Sequence, residues 1–276
     1  MTASAPLTEP GYQQLLELLH GLGTIAVAFS GGLDSSLLLA AAHMALGERV
    51  LALTVATPYM ATWEITEARD LAQTLGVRHQ VLERPMPAAI AHNPPDRCYL
   101  CKRTLFTELK AIAAQEGCIW LADGTNQDDL NDYRPGLRAL RELAVRSPLL
   151  EAGLGKADIR RYAQALKLPV WNKPAYACLL TRLPHDTEVQ PERLQRVAAA
   201  EQALRALGFS TVRVRCHDDL ARIEVNRAEQ SRLLEATLAD QVTTALTACG
   251  FRYVTLDLQG YRMGSFNVAA VQSERP

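Results

Sequence analysis

From Leu15 to Leu22 the apolar positions Leu15, Leu16, Leu18, Leu19 and Leu22 form one stripe at helical spacing, and glycines at 21 and 23 close it. Thr24 to Phe29 is a nearly continuous apolar and β-branched run, the pattern of a strand covered on both faces. The two signatures then alternate. Helix is expected over Ser35 to Leu46, strand over Val50 to Ala56, and helix over Thr62 to Leu75 with Thr62 as N-cap and Gly76 just beyond its end. Strand follows over Arg78 to Leu82, helix over Arg97 to Gln115, and a fourth strand over Ile119 to Ala122. Such alternation predicts an α/β fold, a doubly wound parallel sheet that binds ligands at the carboxyl ends of its strands.

The second half has another rhythm. Lys156 to Leu168 is an amphipathic helix, and prolines at 169, 174 and 184 bound a loop-like segment. Pro191 to Leu207 reads as a helix stopped by Gly208. Thr211 to Arg215 and Leu220 to Val225 alternate apolar and polar residues around His217-Asp218-Asp219, which predicts a hairpin. Arg227 to Ala248 reads as one helix and Phe251 to Leu258 as a closing strand. A boundary is therefore expected near Pro184, with residues 1–184 forming the first domain and residues 185–276 a smaller α+β domain.

The length of 276 residues agrees with two domains, at roughly 150 residues each. With 30 acidic and 29 basic residues, a formal charge of −1 leaves no overall positive field to hold nucleic acid or an anionic membrane. Neither partner is expected. Apolar stretches such as Leu37 to Ala42 fall far below the roughly 18 residues of a membrane span, and Met1 to Pro10 lacks a signal-peptide pattern. Six cysteines are too sparse for a disulfide scaffold and point to a reducing, cytoplasmic setting where thiols bind metals or react. Arginine outnumbers lysine 24 to 5, a coding bias or a functional choice.

Where the first strand hands over to its helix stands Ser30-Gly31-Gly32-Leu33-Asp34-Ser35, followed by Ser36. Two glycines let the backbone turn tightly, and amides at the helix start, helped by the serine hydroxyls, make an anion site; a plain strand-to-helix turn is the alternative. No Gly-Lys-Ser/Thr follows, so this is not a Walker loop. Cys98-Tyr99-Leu100-Cys101 places two thiols on one side of a helical turn, where Arg97, Lys102 and Arg103 would favour thiolates. By itself the pair fits half of a metal site, a redox dithiol or two unrelated thiols. Cys178, in the proline-bounded loop, is placed to join them, whereas Cys118, Cys216 and Cys249 look like ordinary buried residues. His79, His185 and His217 show no ligand spacing.

Ser-Gly-Gly-x-Asp-Ser after the first strand resembles the pyrophosphate loop of the ATP-pyrophosphatase, or PP-loop, superfamily, whose HUP-like domain adenylates a substrate. Gly124-Thr125-Asn126-Gln127-Asp128-Asp129, Asp132-Tyr133-Arg134-Pro135-Gly136-Leu137, Ser147-Pro148-Leu149-Leu150 and Thr211-Val212-Arg213-Val214-Arg215 narrow the match. Together they resemble the LarE family of sulfur transferases, which serve nickel-pincer nucleotide synthesis, over nearly the whole chain. That resemblance implies ATP on Ser30, Gly31, Gly32, Asp34, Ser35, Ser36, Gly124 and Asn126, with Mg²⁺ beside the phosphates. One branch of the family sacrifices a single loop cysteine. Another holds a [4Fe-4S] cluster on a Cys-x-x-Cys pair and one loop cysteine, the pattern here in Cys98, Cys101 and Cys178; a sacrificial Cys178 and a structural metal or disulfide are the alternatives.

On the substrate side, Arg213 and Arg215 alternate with Val212 and Val214, so their guanidinium groups leave one face of a strand as a candidate phosphate clamp or as a solvated outer face. Asp132, Arg134, Arg182, Glu201, Glu224, Asp257 and Arg262 fall at positions that the resemblance associates with a mononucleotide substrate. Each alone reads equally as a surface salt bridge. Asp128 and Asp129 suit either magnesium positioning or a capped loop. The implied reaction adenylates a carboxylate of pyridinium-3,5-biscarboxylic acid mononucleotide, with Cys178 at the sulfur step. The implied protein is a homo-oligomer that hands its product to later nickel-pincer enzymes. A tRNA thiolase would need a basic surface, and a nonenzymatic adenine-nucleotide module has no use for the three cysteines.

Overall fold

The computed structural model of the chain describes residues 5–131, 135–174 and 177–262. Two compact units emerge: unit 1 comprises Met1–Ala89 and Asp96–Tyr176, and unit 2 comprises Ile90–Pro95 and Ala177–Pro276. The division thus falls ahead of the expected Pro184. The reason is local: Asn93, from the short Ile90–Pro95 segment, binds the carbonyls of Leu180, Leu183 and Pro184 and draws that turn into unit 2.

Unit 1 runs through helix α1 (Pro10–Leu22), strand β1 (Ile25–Ala28), α2 (Leu33–Leu46), β2 (Val50–Ala56), α3 (Thr62–Thr74), β3 (Arg78–Glu83), α4 (Arg97–Gln115) and β4 (Trp120–Ala122). The short α5 (Gly136–Glu142) and α6 (Pro148–Glu151) precede α7 (Lys156–Ala165). All pairings in the sheet are parallel, in the order β3-β2-β1-β4, so the chain reverses its direction of sheet growth between β1 and β4. A ligand crevice belongs at that switch. Strand alternation divides the core. Ile25, Val27, Val50 and Ala52 join the layer of α1, α2 and α7, while Ala26, Leu51 and Leu53 pack with Leu109, Ala113, Cys118 and Leu121 on the other face. Helix α2 is buried from Leu37 to Ala42, which explains why its sequence has no polar face.

Two local expectations change. Thr62 is the first helical residue of α3 and Ala61 its N-cap, with no side-chain cap bond. In unit 2, helix α8 (Pro191–Ala206) precedes strands β5 (Val212–His217) and β6 (Leu220–Val225), an antiparallel hairpin whose Asp218 takes φ 53°. The single helix expected from Arg227 breaks into a 3-10 segment, Arg227–Leu234, and helix α9 (Ala236–Ala248). Glu235 is extended at φ −71°, ψ 122°, and its carbonyl accepts the Ala239 amide that starts α9. Strand β7 (Tyr253–Leu256) then adds parallel to β6.

Candidate functional site

The loop at the carboxyl end of β1 is held by its own hydroxyls. Phe29 N–H donates to the Leu53 carbonyl at 2.8 Å, which keeps β1 in register up to the turn. Ser35 Oγ donates to the Gly32 carbonyl at 3.2 Å and lies 3.1 Å from Ser30 Oγ, which in turn accepts from Gly32 N–H at 3.4 Å. The Ser30 and Ser35 hydroxyls therefore brace the turn first, leaving the amides at the α2 N-terminus, where Gly32 is an extended cap without a side-chain cap bond, to face a ligand. Ser36 Oγ is buried with no partner among the described residues. Gly31 takes φ +67°, and a Cβ there would meet Ala68 Cβ at 3.0 Å and Cα at 3.1 Å, so two constraints exclude a side chain. Gly124 backs the same turn: its Cβ would come within 2.9 Å of Ser35 N.

Sequence reasoning missed the cations of this turn. Lys156, the first residue of α7, pairs its Nζ with Asp34 Oδ2. Lys173 Nζ donates to the Gly31 carbonyl at 3.0 Å, pairs with Glu67 at 2.6 Å and lies over the Trp63 ring at 5.8 Å. The scarcity of lysine was the available signal, since two of the five lysines converge on one six-residue motif. Asp123, just past β4, was also missed; it accepts Thr125 Oγ1 at 2.6 Å and Ser147 Oγ at 2.7 Å, which gives the Ser147-Pro148 motif its anchor. Asn126 is fully buried, takes the Asp128 amide on Oδ1 at 3.1 Å, and leaves Nδ2 without a partner among the described residues. Asp128 accepts the Lys156 amide at 2.6 Å and Asp129 the Asn126 amide at 3.1 Å, so both carboxylates close the capped loop. Asp132 and Arg134 lie outside the described residues.

Cys98 and Cys101 both lie on α4 in unit 1, Cys98 exposed and Cys101 half-buried. The thiolate expected at Cys101 is not favoured: burial pushes that thiol up, Cys98 adds to the rise, and the Tyr59 hydroxyl at 3.1 Å with Lys102 only partly offsets it. Arg103, expected to help, instead faces Tyr99, with Nη1 3.4 Å from its hydroxyl. Cys178 belongs to unit 2, where it caps the 3-10 turn Leu179–Arg182. Cys118 sits in the core, Cys216 is fully buried, and burial raises the thiols of both and of Cys249. No cysteine is in a disulfide, and no group of three or more metal-ligating side chains is gathered among the described residues.

In unit 2 five of the predicted charged residues, Arg182, Glu201, Arg213, Arg215 and Glu224, prove to be interior. Arg182 binds Glu201 through Nε at 2.8 Å and Nη2 at 3.0 Å, and its Nη1 reaches the carbonyls of Ala177 at 2.6 Å and Cys178 at 3.1 Å. Arg215 pairs two-pronged with Glu224 at 2.9 and 2.7 Å and donates to the Thr181 carbonyl at 2.6 Å. These side chains are at most 7% exposed, which replaces both the surface-salt-bridge and the solvated-strand readings. Arg213 is equally buried and stands 5.1 Å from the Tyr261 ring; burial and then the Arg182 guanidinium hold it below the usual arginine range. Asp257 reaches this network through Arg222, at 3.6 Å, and exposed Arg262 bonds Gln259.

Comparison with known proteins decides among the readings that this geometry permits. Residues 24–94 match the family of the queuosine biosynthesis protein QueC, a span from β1 and its turn through β3. The chain is 41% identical to the pyridinium-3,5-bisthiocarboxylic acid mononucleotide synthase of Lactiplantibacillus plantarum, covering 92% of each chain. The chain belongs to the LarE family. An uncharacterized protein of Synechocystis is 38% identical over 95% of this chain and 98% of its own, and another from Methanocaldococcus jannaschii is 33% identical over 86% and 90%. LarE membership places the turn after β1 in the PP-loop superfamily. Among the described residues no helix is long and apolar enough to cross a membrane.

Proposed function

We propose that this LarE-family chain is a pyridinium-3,5-bisthiocarboxylic acid mononucleotide synthase, an ATP-dependent sulfur transferase acting in the cytoplasm. The near-full-length identity to the Lactiplantibacillus plantarum synthase carries this reading, and the PP-loop geometry supports it. ATP's phosphates lie against the amides between Ser30 and Ser36, with Gly124 and Asn126 alongside and Mg²⁺ held mainly by phosphate oxygens. A substrate carboxylate forms a bond to the α-phosphorus, the α–β bridging bond breaks, and pyrophosphate leaves. The acyl adenylate then loses AMP as a sulfur nucleophile bonds to the acyl carbon.

The chain's own contribution is positioning. Lys156 and Lys173 brace Asp34 and the Gly31 carbonyl, keeping the turn open to the polyphosphate. Arg213, buried beside Arg182, is the guanidinium we assign to the substrate phosphate, an anion that would offset the cost of its burial. Arg182, Arg215, Glu201 and Glu224 fix the frame around it, and Asp132, Arg134, Asp257 and Arg262 are further substrate contacts by family position. Three cysteines outside any disulfide fit the donor chemistry of an iron–sulfur group, with Cys98, Cys101 and Cys178 as its ligands. When bound, a [4Fe-4S] cluster on three thiolates supplies an iron without a protein ligand that can carry sulfur. The working form is a homo-oligomer that passes its product to later nickel-pincer enzymes.

The test is pyrophosphate release from ATP and the biscarboxylate mononucleotide, with protein prepared without oxygen. Wild type is expected to release it and Asp34→Ala to do so at least about 10-fold more slowly, the loss of one charged loop contact. Full release by the variant removes the loop from the reaction. A wild type that consumes no ATP with this substrate overturns the synthase reading.

A further inference from the structure

We infer that Asn93 is a positioning residue for the sulfur step, tying the segment that leads into the Cys98 helix to the turn that carries Cys178. The inference rests on the function proposed above and assigns it a further residue. Asn93 is fully buried in unit 2, and its Nδ2 lies 3.2 Å from the Leu180 carbonyl, 3.1 Å from that of Leu183 and 2.8 Å from that of Pro184. An amide nitrogen carries two protons, so three acceptors share them and the side chain is fastened in one orientation. The opposite orientation would set Oδ1 against three carbonyl oxygens; as placed, Oδ1 has no partner among the described residues.

The backbone strengthens the tie. Asn93 adopts φ 51°, a left-handed geometry open to Asn, Asp and Gly at least strain. Its carbonyl accepts Asp186 N–H at 3.2 Å, and the Ala91 carbonyl accepts Val189 N–H at 2.8 Å, so the Ile90–Pro95 segment lies along the chain after the cysteine turn. At the other end of that turn the Cys178 carbonyl receives Thr181 N–H at 3.1 Å, Thr181 Oγ1 at 2.9 Å and Arg182 Nη1 at 3.1 Å. Asn93 thus holds the exit of a turn whose entry is the Cys178 backbone. Only four residues separate it from Cys98 along the chain. Asp would keep the φ and lose the donors, and Gly would keep the φ and lose the side chain, so among the left-handed residues Asn alone meets both demands.

Two variants, Asn93→Gly and Asn93→Asp, test this with two readouts. The first is iodoacetamide labelling of Cys178 relative to Cys98 in the same sample, followed by peptide mass spectrometry, which does not depend on the enzymatic reading. The second compares sulfur transfer with pyrophosphate release. Both variants are expected to change the Cys178-to-Cys98 labelling ratio by about threefold or more. Sulfur transfer should fall at least about 10-fold with pyrophosphate release kept within about twofold, a split that general destabilisation does not give. An unchanged labelling ratio, unchanged transfer, or equal loss of both activities overturns the proposal. Failure of both variants to fold makes Asn93 a folding residue and overturns it too. If wild type itself releases no pyrophosphate, the synthase reading has failed, and the labelling ratio alone decides the positioning role.

Discussion

The ion pairs at the PP-loop of unit 1 and those of Arg182 and Arg215 in unit 2 meet water differently. In unit 1 the ion pairs around the PP-loop keep contact with water: Lys156 and Asp34 are 35% and 25% exposed, and Glu67 beside Lys173 is 43% exposed. The interior there is mostly Leu, Val, Ile and Ala on both sides of a parallel sheet, with Tyr12, Phe29, Tyr162 and Cys118 among them. In unit 2, Arg182 with Glu201 and Arg215 with Glu224 are withdrawn from solvent together. A buried pair gains little net stability over an apolar pair, but losing one partner strands the other charge, so such a network fixes geometry more than it adds stability. In the proposed function unit 1 offers backbone amides to the polyphosphate, whereas the guanidinium groups of Arg182 and Arg215 in unit 2 are already held by buried carboxylates.

Glu201→Gln tests that contrast most severely. It keeps shape but leaves Arg182 without its buried counter-charge, and is expected to destabilise by about 3–5 kcal/mol. Urea unfolding read on a unit 2 peptide by hydrogen exchange measures it, and a change under 1 kcal/mol, roughly the ceiling for a surface pair, would erase the distinction between the units. Leu38→Ala, in the fully buried stretch of α2, should cost about 3 kcal/mol through lost burial and a cavity, with no dependence on salt. The smallest effect is one of pH. Burial raises the Tyr12 phenol from 10.0 to about 12, so the folded state favours the neutral form. Its contribution is complete below the unfolded phenol's range near 10 and declines as pH rises toward about 12, by at most about 2–3 kcal/mol. Tyr12→Phe should flatten that decline in pH-dependent melts, and an unchanged slope would move its cause to another group.

Most of unit 1 was legible because its signals are local. Apolar runs of strand length, helical stripes and a Ser-Gly-Gly turn between them predict the observed order of β1, α2, β2, α3 and β3, with β2 and α4 at the expected residues. Even the missed lysines obey a local logic, since Lys156 opens a helix and Lys173 precedes a proline. Unit 2 was harder to read. Alternation along β5 separates Val212 and Val214 from Arg213 and Arg215 correctly, but the usual inference that the polar face meets water fails, because α8 brings Glu201 to Arg182 and to the Val214 amide at 3.0 Å. Likewise the helical pattern through Leu233 and Leu234 conceals the break at Glu235, where one leucine is buried and the next is 76% exposed.

The sequence by itself determined the alternation of strand and helix, the PP-loop motif with glycines that its geometry requires, and the identity of the three candidate sulfur-site cysteines. The first two follow from periodicity and from residue types whose chemistry has few substitutes, and the third from the resemblance of the chain's motifs to the LarE family. Tertiary structure decided which charges are buried, that Cys101 is a thiol raised by burial, and that Asn93 rather than any residue of the motifs fastens the turn below Cys178. Those outcomes depend on desolvation and on partners far apart in the chain, Asn93 and Pro184 among them. Spacing along a sequence carries no record of either.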